Sequence, residues 1–384
     1  MRVLYISEVQ WLSQVSRKHQ FVRRFPDDWN VLFLSPANSI AGENSFRERT
    51  DARRPRVRYA SLPLPKPDSK LVAVRALTGV LSRTGALAVL SRARSFRPDV
   101  VVCSYIWAAP IVPRLRELGI PVVYDCNDLH TQFYPACPDV AEDLFRNLID
   151  SAHEVVSSSE HLREVCGRGV VVGNGVDLET FTGRLDCPLP TAIANSPLGD
   201  CAELIAYVGS VDDRIDFGIL EALAASVSEL DARTGIVCIG RVFEGARERA
   251  ETLTRKHRDH ILFTGRAPYD ELPAYMSHAS VGIAPFVLNQ RTRAINPNKL
   301  YMYAAMEQNI VSTPFSADIT EYGDVLFVAE GADAFARSVK AALGDDERRR
   351  AVRDRIAVPN SWNEKTAAFQ KILLQIASEG RGEA

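Results

Sequence analysis

At 384 residues the chain is too long for one ordinary core and long enough for two domains. Its 46% apolar and 24% charged residues are those of a globular protein, which excludes a disordered or fibrous chain. The net charge of −2 hides a skew: residues 1–97 hold 18 Lys and Arg against 7 Asp and Glu. That segment either meets something negative or presents a solvated, arginine-rich surface.

The first residues, "MRVLYIS", read as a strand and not as a leader, so a cytoplasmic location is expected. The longest apolar run, "VVVCSYIWAAPIVP", is broken by Pro110 and Pro113 and falls short of the roughly 18 residues of a membrane span. The basic stretch lacks interleaved aromatics and matches no nucleic-acid module, so no nucleic-acid partner is expected. The cysteines, at 103, 126, 137, 166, 187, 201 and 238, are odd in number and form no CxxC or Cys/His cluster. Reduced thiols and no metal site follow, and nothing marks one of them as a nucleophile.

In chain order, "RVLYI", "NVLFLS", "DVVVC", "IPVVYD", "HEVVSSS" and "GVVVGN" are predicted strands of the first half. "ELIAYVGS", "GIVCIG", "HILFTG", "ASVGIAPF" and "NIVSTP" are those of the second. Near-continuous apolar strands alternating with helical segments predict two parallel, doubly covered α/β sheets, each Rossmann-like. Residues 70–90, "KLVAVRALTGVLSRTGALAVL", predict a core-packed helix pair interrupted by Arg75 and Arg83, or else a membrane-surface contact. The predicted domains are 1–182 and 202–358, joined by a Pro/Gly-containing linker at 183–201, with a terminal segment at 359–384. Ligands of such sheets bind at the carboxyl ends of the strands, so with two domains in tandem the cleft between them is the expected site.

The loop after the first strand, "SEVQWLSQVSRKH", lacks GxGxxG, which argues against a dehydrogenase. "IPVVYD" runs into "CNDLHTQFYP", placing Asp125, Asp128 and His130 within six residues. They suit a general base or a group that orients a hydroxyl; alternatively Asp128 caps a helix and His130 lies on the surface. In "VVGNGVDLETF", Asn174-Gly175 makes a tight turn and Asp177 a cap. In the second half Gly209 permits close backbone approach, and Arg214, Arg266, Arg291 and Arg293 follow strand ends. In "INPNKLYMYAA", Asn296 is read as a cap, Pro297 as the first helical residue and Lys299 as a cation in the first turn. Cations converging on a helix N-terminus suit a diphosphate, although each arginine alone also fits a plain surface. No GxxxxGK[ST] is present, which excludes a P-loop.

Taken together these segments resemble the GT-B glycosyltransferases, in particular the GT4-like bacterial group. "RPDVVVCS" is similar to the family's "kPDvvh" strand and "VVGNGVDLETF" to its "viPNGVDlerF" turn, with Gly173 where proline is usual. "FTGRAPYDELPAYMSHASVGIAPF", "RTRAINPNKLYMYAA" and "NSWNEKTAAF" resemble the later motifs in family order, the last being a helix that commonly packs back on the first domain. The resemblance implies two Rossmann-like domains with parallel sheets facing across a cleft, the first holding an acceptor and the second a nucleoside-diphosphate sugar. A UDP-sugar is favoured, with GDP- or dTDP-sugars as alternatives, and no cofactor or metal is required. By matching positions, Lys299, Arg293 and Arg214 would face the diphosphate, Gly209 and Ser210 would lie beneath it, and Gly265–Arg266 would approach the base. Asn296, Asn298 and Leu300 share the same donor motif. Asp128 or His130, with Asp125 beside them, would move the proton of a sugar, lipid-linked or small-molecule acceptor.

Two departures stand out. Met302 and Ala294 occupy positions where the family usually carries glutamates, the first of which grips the ribose. "AAMEQN" replaces the usual "AaGkP", putting Glu307 and Asn309 where glycine and proline are usual. Retention of anomeric configuration follows from the family name alone. The alternatives left open are a nucleotide-sugar-binding pseudoenzyme that partners an active transferase, and a sugar-nucleotide epimerase or hydrolase on the same fold. The basic first domain also suits a peripheral contact with the inner face of a membrane and an acceptor in polysaccharide, glycolipid or natural-product synthesis.

Overall fold

Fourteen short strands fall into two separate sheets in the computed structural model, which describes residues 1–13, 15–37, 47–63, 73–135, 137–183, 186–229 and 233–382, with 73–83 and 381–382 described by their backbone. The chain forms two units. One comprises Met1–Gly173 with Lys365–Ala384, the other Asn174–Glu364.

In the first unit the strands are β1 (Arg2–Ile6), β2 (Asn30–Pro36), β3 (Arg49–Asp51), β4 (Arg54–Leu62), β5 (Val100–Cys103), β6 (Val122–Cys126), β7 (Glu154–Ser157) and β8 (Val170–Val171). They lie in the order β3-β4-β2-β1-β5-β6-β7-β8, all parallel except β3, which pairs antiparallel to β4. The second unit holds β9 (Glu203–Val208), β10 (Thr234–Ile239), β11 (Ile261–Gly265), β12 (Ala279–Ala284), β13 (Asn309–Ser312) and β14 (Phe327–Val328), all parallel, in the order β11-β10-β9-β12-β13-β14. Runs such as "VVVC" and "ASVGIA" are buried at every position because helices cover both faces of these sheets. Both orders reverse direction once, between β1 and β5 and between β9 and β12, and an open α/β sheet receives ligands outside the strand ends at such a point.

All eleven predicted strands are present, and β3, β4 and β14 are additional. "RPRVRYASL" escaped notice because its exposed arginines interrupt the apolar pattern; Val57, Ala60 and Leu62 nevertheless face the core. Residues 73–96 form one continuous helix, Ala73–Phe96, instead of the predicted pair, and the side chains of Arg75 and Arg83 lie outside the described residues.

The division between units lies at Gly173/Asn174 and not inside 183–201. That stretch folds with the second unit: Pro190 and Pro197 open short helical turns, and Ile193 and Leu198 are buried in its core. Proline there starts turns, and two apolar side chains supply burial that a linker would lack. The terminal helix runs Trp362–Gly382, and from Lys365 it belongs to the first unit. Phe369 stacks on Phe21 at 4.4 Å, and Gln370 donates to the Arg24 carbonyl at 2.9 Å.

Candidate active site

In the first unit the chemistry gathers where β1 and β5 part. Glu8 follows β1, Ser104 follows β5, and the Ser104 hydroxyl donates to Glu8 Oε2 at 2.9 Å. Helix Arg17–Arg23 turns its opening cations inward. The Lys18 ammonium bonds Glu8 Oε1 and also donates to Asn127 Oδ1 at 3.2 Å. Asn127 in turn donates to Asp128 Oδ2 at 2.8 Å. His130 is buried, with Nδ1 3.4 Å from the Tyr124 hydroxyl. Burial lowers the His130 pKa below the ordinary imidazole value, outweighing the opposite pull of Glu8 and Asp128, so the ring is neutral at pH 7. For Glu8 burial acts upward, yet the charge and hydrogen bond of Lys18 outweigh it and hold the carboxylate below its usual range. The result is a neutral imidazole and an ionised Glu8 carboxylate at strand ends, a set able to orient a hydroxyl and take its proton.

Asp125 differs from the expectation. It is fully buried, its Oδ2 accepts from the Tyr5 hydroxyl at 2.7 Å and its Oδ1 from Arg17 Nε at 3.0 Å. Arg17 also donates to the Gly173 carbonyl at 2.8 Å, so the pair ties β1, β6 and the end of the last strand together. Both carboxylate oxygens of Asp125 are thus engaged within the sheet.

His19, one turn further along the helix, is locked as a neutral ring. Its Nδ1 accepts from the Ser16 backbone N–H at 3.2 Å, and its Nε2 donates toward the Trp11 and Gln10 carbonyls at 3.0 and 3.1 Å. Burial pushes its pKa down to about 4. The unfolded chain therefore binds a proton that the folded chain refuses, and stability falls as pH drops from the ordinary value of 6.5 toward about 4. Acid unfolding of the first unit is expected to be shallower in His19→Gln by about 2–3 kcal/mol across that window, measured by urea melts at pH 7, 5.5 and 4.5. Equal slopes for the two proteins would remove this assignment.

In the second unit the gathering point is the parting of β9 and β12. Gly209 follows β9 at φ +131°, and Lys299 of helix Asn298–Ala305 reaches it. A Cβ at position 209 would stand 3.3 Å from Lys299 Nζ, so a side chain there would crowd the ammonium. Gly240, on the neighbouring strand end at φ +158°, has no room at all, since a Cβ would lie 1.8 Å from the Gly209 carbonyl oxygen. The ammonium is sandwiched by aromatic faces, 3.9 Å from the Tyr207 ring centre and 4.1 Å from that of Phe286. Lys299 is only 8% exposed, and no described residue offers its Nζ a hydrogen bond. Burial first, and then repulsion by Arg214, depress its pKa well below the usual lysine value. The nearest carboxylate, Asp212, is engaged by Arg214, whose Nε and Nη2 donate to it at 2.8 and 2.5 Å. Arg291 likewise pairs with Asp213 at 3.0 Å. Lys299 is thus a desolvated cation beside half-buried glycine backbone, with the nearby carboxylates already engaged by arginines.

The remaining expected donor residues scatter. Helix Asn298–Ala305 starts one residue later than predicted, with Pro297 at the cap. Asn296 does not cap; its Oδ1 and carbonyl accept from the Asn174 backbone and side-chain N–H groups at 2.7 and 2.8 Å, and it donates to the Tyr301 hydroxyl at 2.8 Å. Leu300, Met302 and Ala294 are buried among apolar residues. Asn298, Arg293 and Arg266 are exposed, and Gly265 adopts φ +76°. Ser210 contributes a carbonyl, held by the Tyr207 hydroxyl at 2.7 Å. Glu307 has φ +54°, which explains why glycine suits that position, and its carboxylate lies 3.4 Å from Arg353 Nη1. Sequence reasoning missed Glu8, Arg17, Lys18, Tyr207 and Phe286. An acid two residues past a strand end and an Arg-Lys pair opening the next helix were the available signals for the first three. Among the described residues no group of three or more His, Cys, Asp or Glu side chains converges as a metal cluster.

Residues 18–174 match the glycosyl transferase 4-like domain family, and residues 202–345 match the glycosyl transferases group 1 family. The putative teichuronic acid biosynthesis glycosyltransferase TuaH of Bacillus subtilis (strain 168) is 22% identical over 291 residues, covering 68% of this chain and 69% of that protein. Sucrose-phosphate synthase from Thermosynechococcus elongatus superposes with a TM-score of 0.75 at 16% identity, over 98% of this chain and 99% of the other. An E. coli trehalose-6-phosphate structure bound with UDP-2-fluoro glucose gives 0.74 at 14%, over 97% and 99%. A Burkholderia xenovorans alpha,alpha-trehalose-phosphate synthase (UDP-forming) in complex with glucose-6-phosphate gives 0.69 at 12%, over 97% and 99%. With one family domain on each unit, and each unit's polar groups at a strand-order reversal, the chain belongs to the GT4-like glycosyltransferases of the GT-B fold.

Proposed function

We propose that the enzyme transfers a sugar from a nucleoside-diphosphate sugar, a UDP-sugar in the favoured case, to an acceptor hydroxyl, with retention of configuration and without a bound metal. The observation that carries this reading is Lys299, a buried ammonium in an aromatic box with no carboxylate bonded to it. An incoming diphosphate supplies the missing counter-charge, and its charge grows as the glycosidic bond breaks, so the same contact is strongest in the transition state. The structures bound with UDP-2-fluoro glucose and with glucose-6-phosphate support a nucleotide donor and a sugar acceptor.

In this reading the first unit receives the acceptor, with His130 and Asp128 handling its proton. Asp125 fixes their strand from behind, through Arg17 and Tyr5. The hairpin β3–β4 exposes Arg53, Arg54 and Arg56, which suits an acceptor at the inner face of an anionic membrane. Among the described residues no helix is long and apolar enough to cross a membrane.

Thermal unfolding against UDP, GDP, ADP and dTDP tests the donor half. At a hundred times its dissociation constant one nucleotide is expected to add about 2.7 kcal/mol to the second unit, a shift of about 5–10 °C. A flat response to all four would overturn the reading.

A further inference from the structure

The sequence predicts scattered thiols, yet two of them meet in the first unit. Cys126 ends β6, and Cys166, 40 positions later, ends helix Glu160–Cys166. Ser157, at the end of β7, is the register partner of Cys126, and its hydroxyl donates to Cys166 Sγ at 3.9 Å. The Cys166 thiol donates to Cys126 Sγ at 3.7 Å, and the Cys126 thiol donates onward to the Asp128 carbonyl at 3.8 Å. The two sulfurs differ in reach: Cys126 has no exposed surface, whereas Cys166 is 6% exposed. They differ in acidity as well. When Cys166 loses its proton, the Cys126 thiol hydrogen can turn to it. That bond first, then Ser157 and the charge of Arg146, draw the Cys166 pKa below the ordinary thiol value, against the opposing pull of burial. The same bond, together with burial, pushes the Cys126 thiol up. Cys103 and Cys238 show the contrast, since burial pushes each of them up to about 12.

We infer that Cys126 and Cys166 close a reversible disulfide, with hydrogen peroxide as the oxidant, and that this bond resets the β6 end that carries Asn127 and Asp128. A disulfide holds its sulfurs about 2.0 Å apart, so closure from 3.7 Å asks for about 1.7 Å of travel, which side-chain rotation supplies. The Cys166 thiolate attacks one peroxide oxygen; the O–O bond breaks, hydroxide leaves and takes up a proton as water, and a sulfenic acid stays on Cys166. The Cys126 sulfur then attacks that sulfur. The S–S bond forms, the S–O bond breaks, and the departing hydroxide carries off the Cys126 proton as a second water. Two thiols are oxidised by two electrons in all, and one peroxide is reduced to two waters. Closure removes the hydrogen that the Asp128 carbonyl accepts. It also draws on Tyr124, which sits against Cys126 on the same face of β6 and holds its hydroxyl 3.4 Å from His130 Nδ1. The couple goes beyond the glycosyltransfer reading, because neither the bond nor its pull on the strand end depends on which group is transferred.

The test treats the folded full chain with hydrogen peroxide, blocks the remaining thiols with N-ethylmaleimide, digests without reduction and maps the peptides by tandem mass spectrometry. The expected product joins Cys126 to Cys166 with the loss of two hydrogens, while Cys103 and Cys238 stay free to be alkylated after denaturation. In parallel, the Cε1–H proton resonance of His130 is expected to shift on oxidation and to return with dithiothreitol. Cys166→Ser and Cys126→Ala should each lose both the cross-link and the shift, and the wild-type map decides the matter whether or not either variant folds. Sulfinic acid on Cys166 without a cross-link, or a bond made through the half-buried Cys137 or Cys187, overturns the inference. So does a Cys126–Cys166 bond that dithiothreitol cannot open in the folded chain, or one that leaves the His130 resonance in place.

Discussion

Lys299→Met is expected to melt a few degrees above the wild type in the absence of ligand and to lose its response to nucleoside diphosphates. Both effects have one cause. The ammonium is buried, lies over two ring faces with no hydrogen bond from a described residue, and is repelled by Arg214. Taking a charge out of water without a bonded counter-ion costs several kcal/mol, and two aromatic faces return only part of it. A thioether of similar length fills the same box without the desolvation, so a net gain of about 1–2 kcal/mol, or 2–6 °C, is expected for a unit of this size. The sign can be checked by pH. Because the folded lysine holds its proton less tightly than the unfolded one, wild-type stability rises with pH between the depressed folded pKa and the ordinary value of 10.5. The gap to Lys299→Met should therefore narrow in alkali. Turnover should fall by about 10²–10³-fold, the usual cost of removing one preorganised group at a developing charge. A variant that is less stable than the wild type at pH 7, yet still stabilised by nucleotide, would show that Lys299 is a packing residue.

The second large effect belongs to the Arg17–Asp125 pair. Asp125→Ala leaves a guanidinium that is 4% exposed without its carboxylate and the Tyr5 hydroxyl without its acceptor. Breaking a buried pair from one side costs about 3–5 kcal/mol, because the remaining charge stays desolvated. Arg17→Met should cost a similar amount, and the double variant Arg17→Met/Asp125→Ala clearly less than the sum, with a coupling of about 2–3 kcal/mol. Chemical denaturation of the four proteins measures this cycle. Additive losses, or a loss below about 1 kcal/mol for Asp125→Ala, would mean that the pair contributes little. Activity is expected to drop along with stability, since Arg17 also holds the Gly173 carbonyl and Asp125 lies on the strand that delivers Asn127 and Asp128.

Both predictions concern side chains whose importance came from different places. Lys299 was legible in "NPNKLY", where a cation follows a proline at a helix start, and its position beside Gly209 agrees with that reading. Arg17 was one arginine among many in a basic segment, set apart from Arg23 and Arg24 only by its place in the Arg-Lys pair that opens the helix. Its partner lies 108 positions away and meets it only because β1 and β6 flank β5 in one sheet. Tyr207 and Phe286 read as ordinary strand and strand-end aromatics until β9 and β12 are seen to be neighbours. Asn296 is the opposite case. A polar residue before a proline predicts a cap, but a partner 122 residues away offers two hydrogen bonds, and that tertiary contact overrides the local preference.

Eleven of the fourteen described strands, and their grouping into two parallel sheets, were determined by the sequence alone, because burial on both faces of a parallel sheet leaves an apolar run that needs no partner to be recognised. Which cations lie against aromatic faces and which carboxylates are already occupied were decided only by the tertiary structure. Those properties depend on strand order and register, and a single chain states neither until distant segments pair.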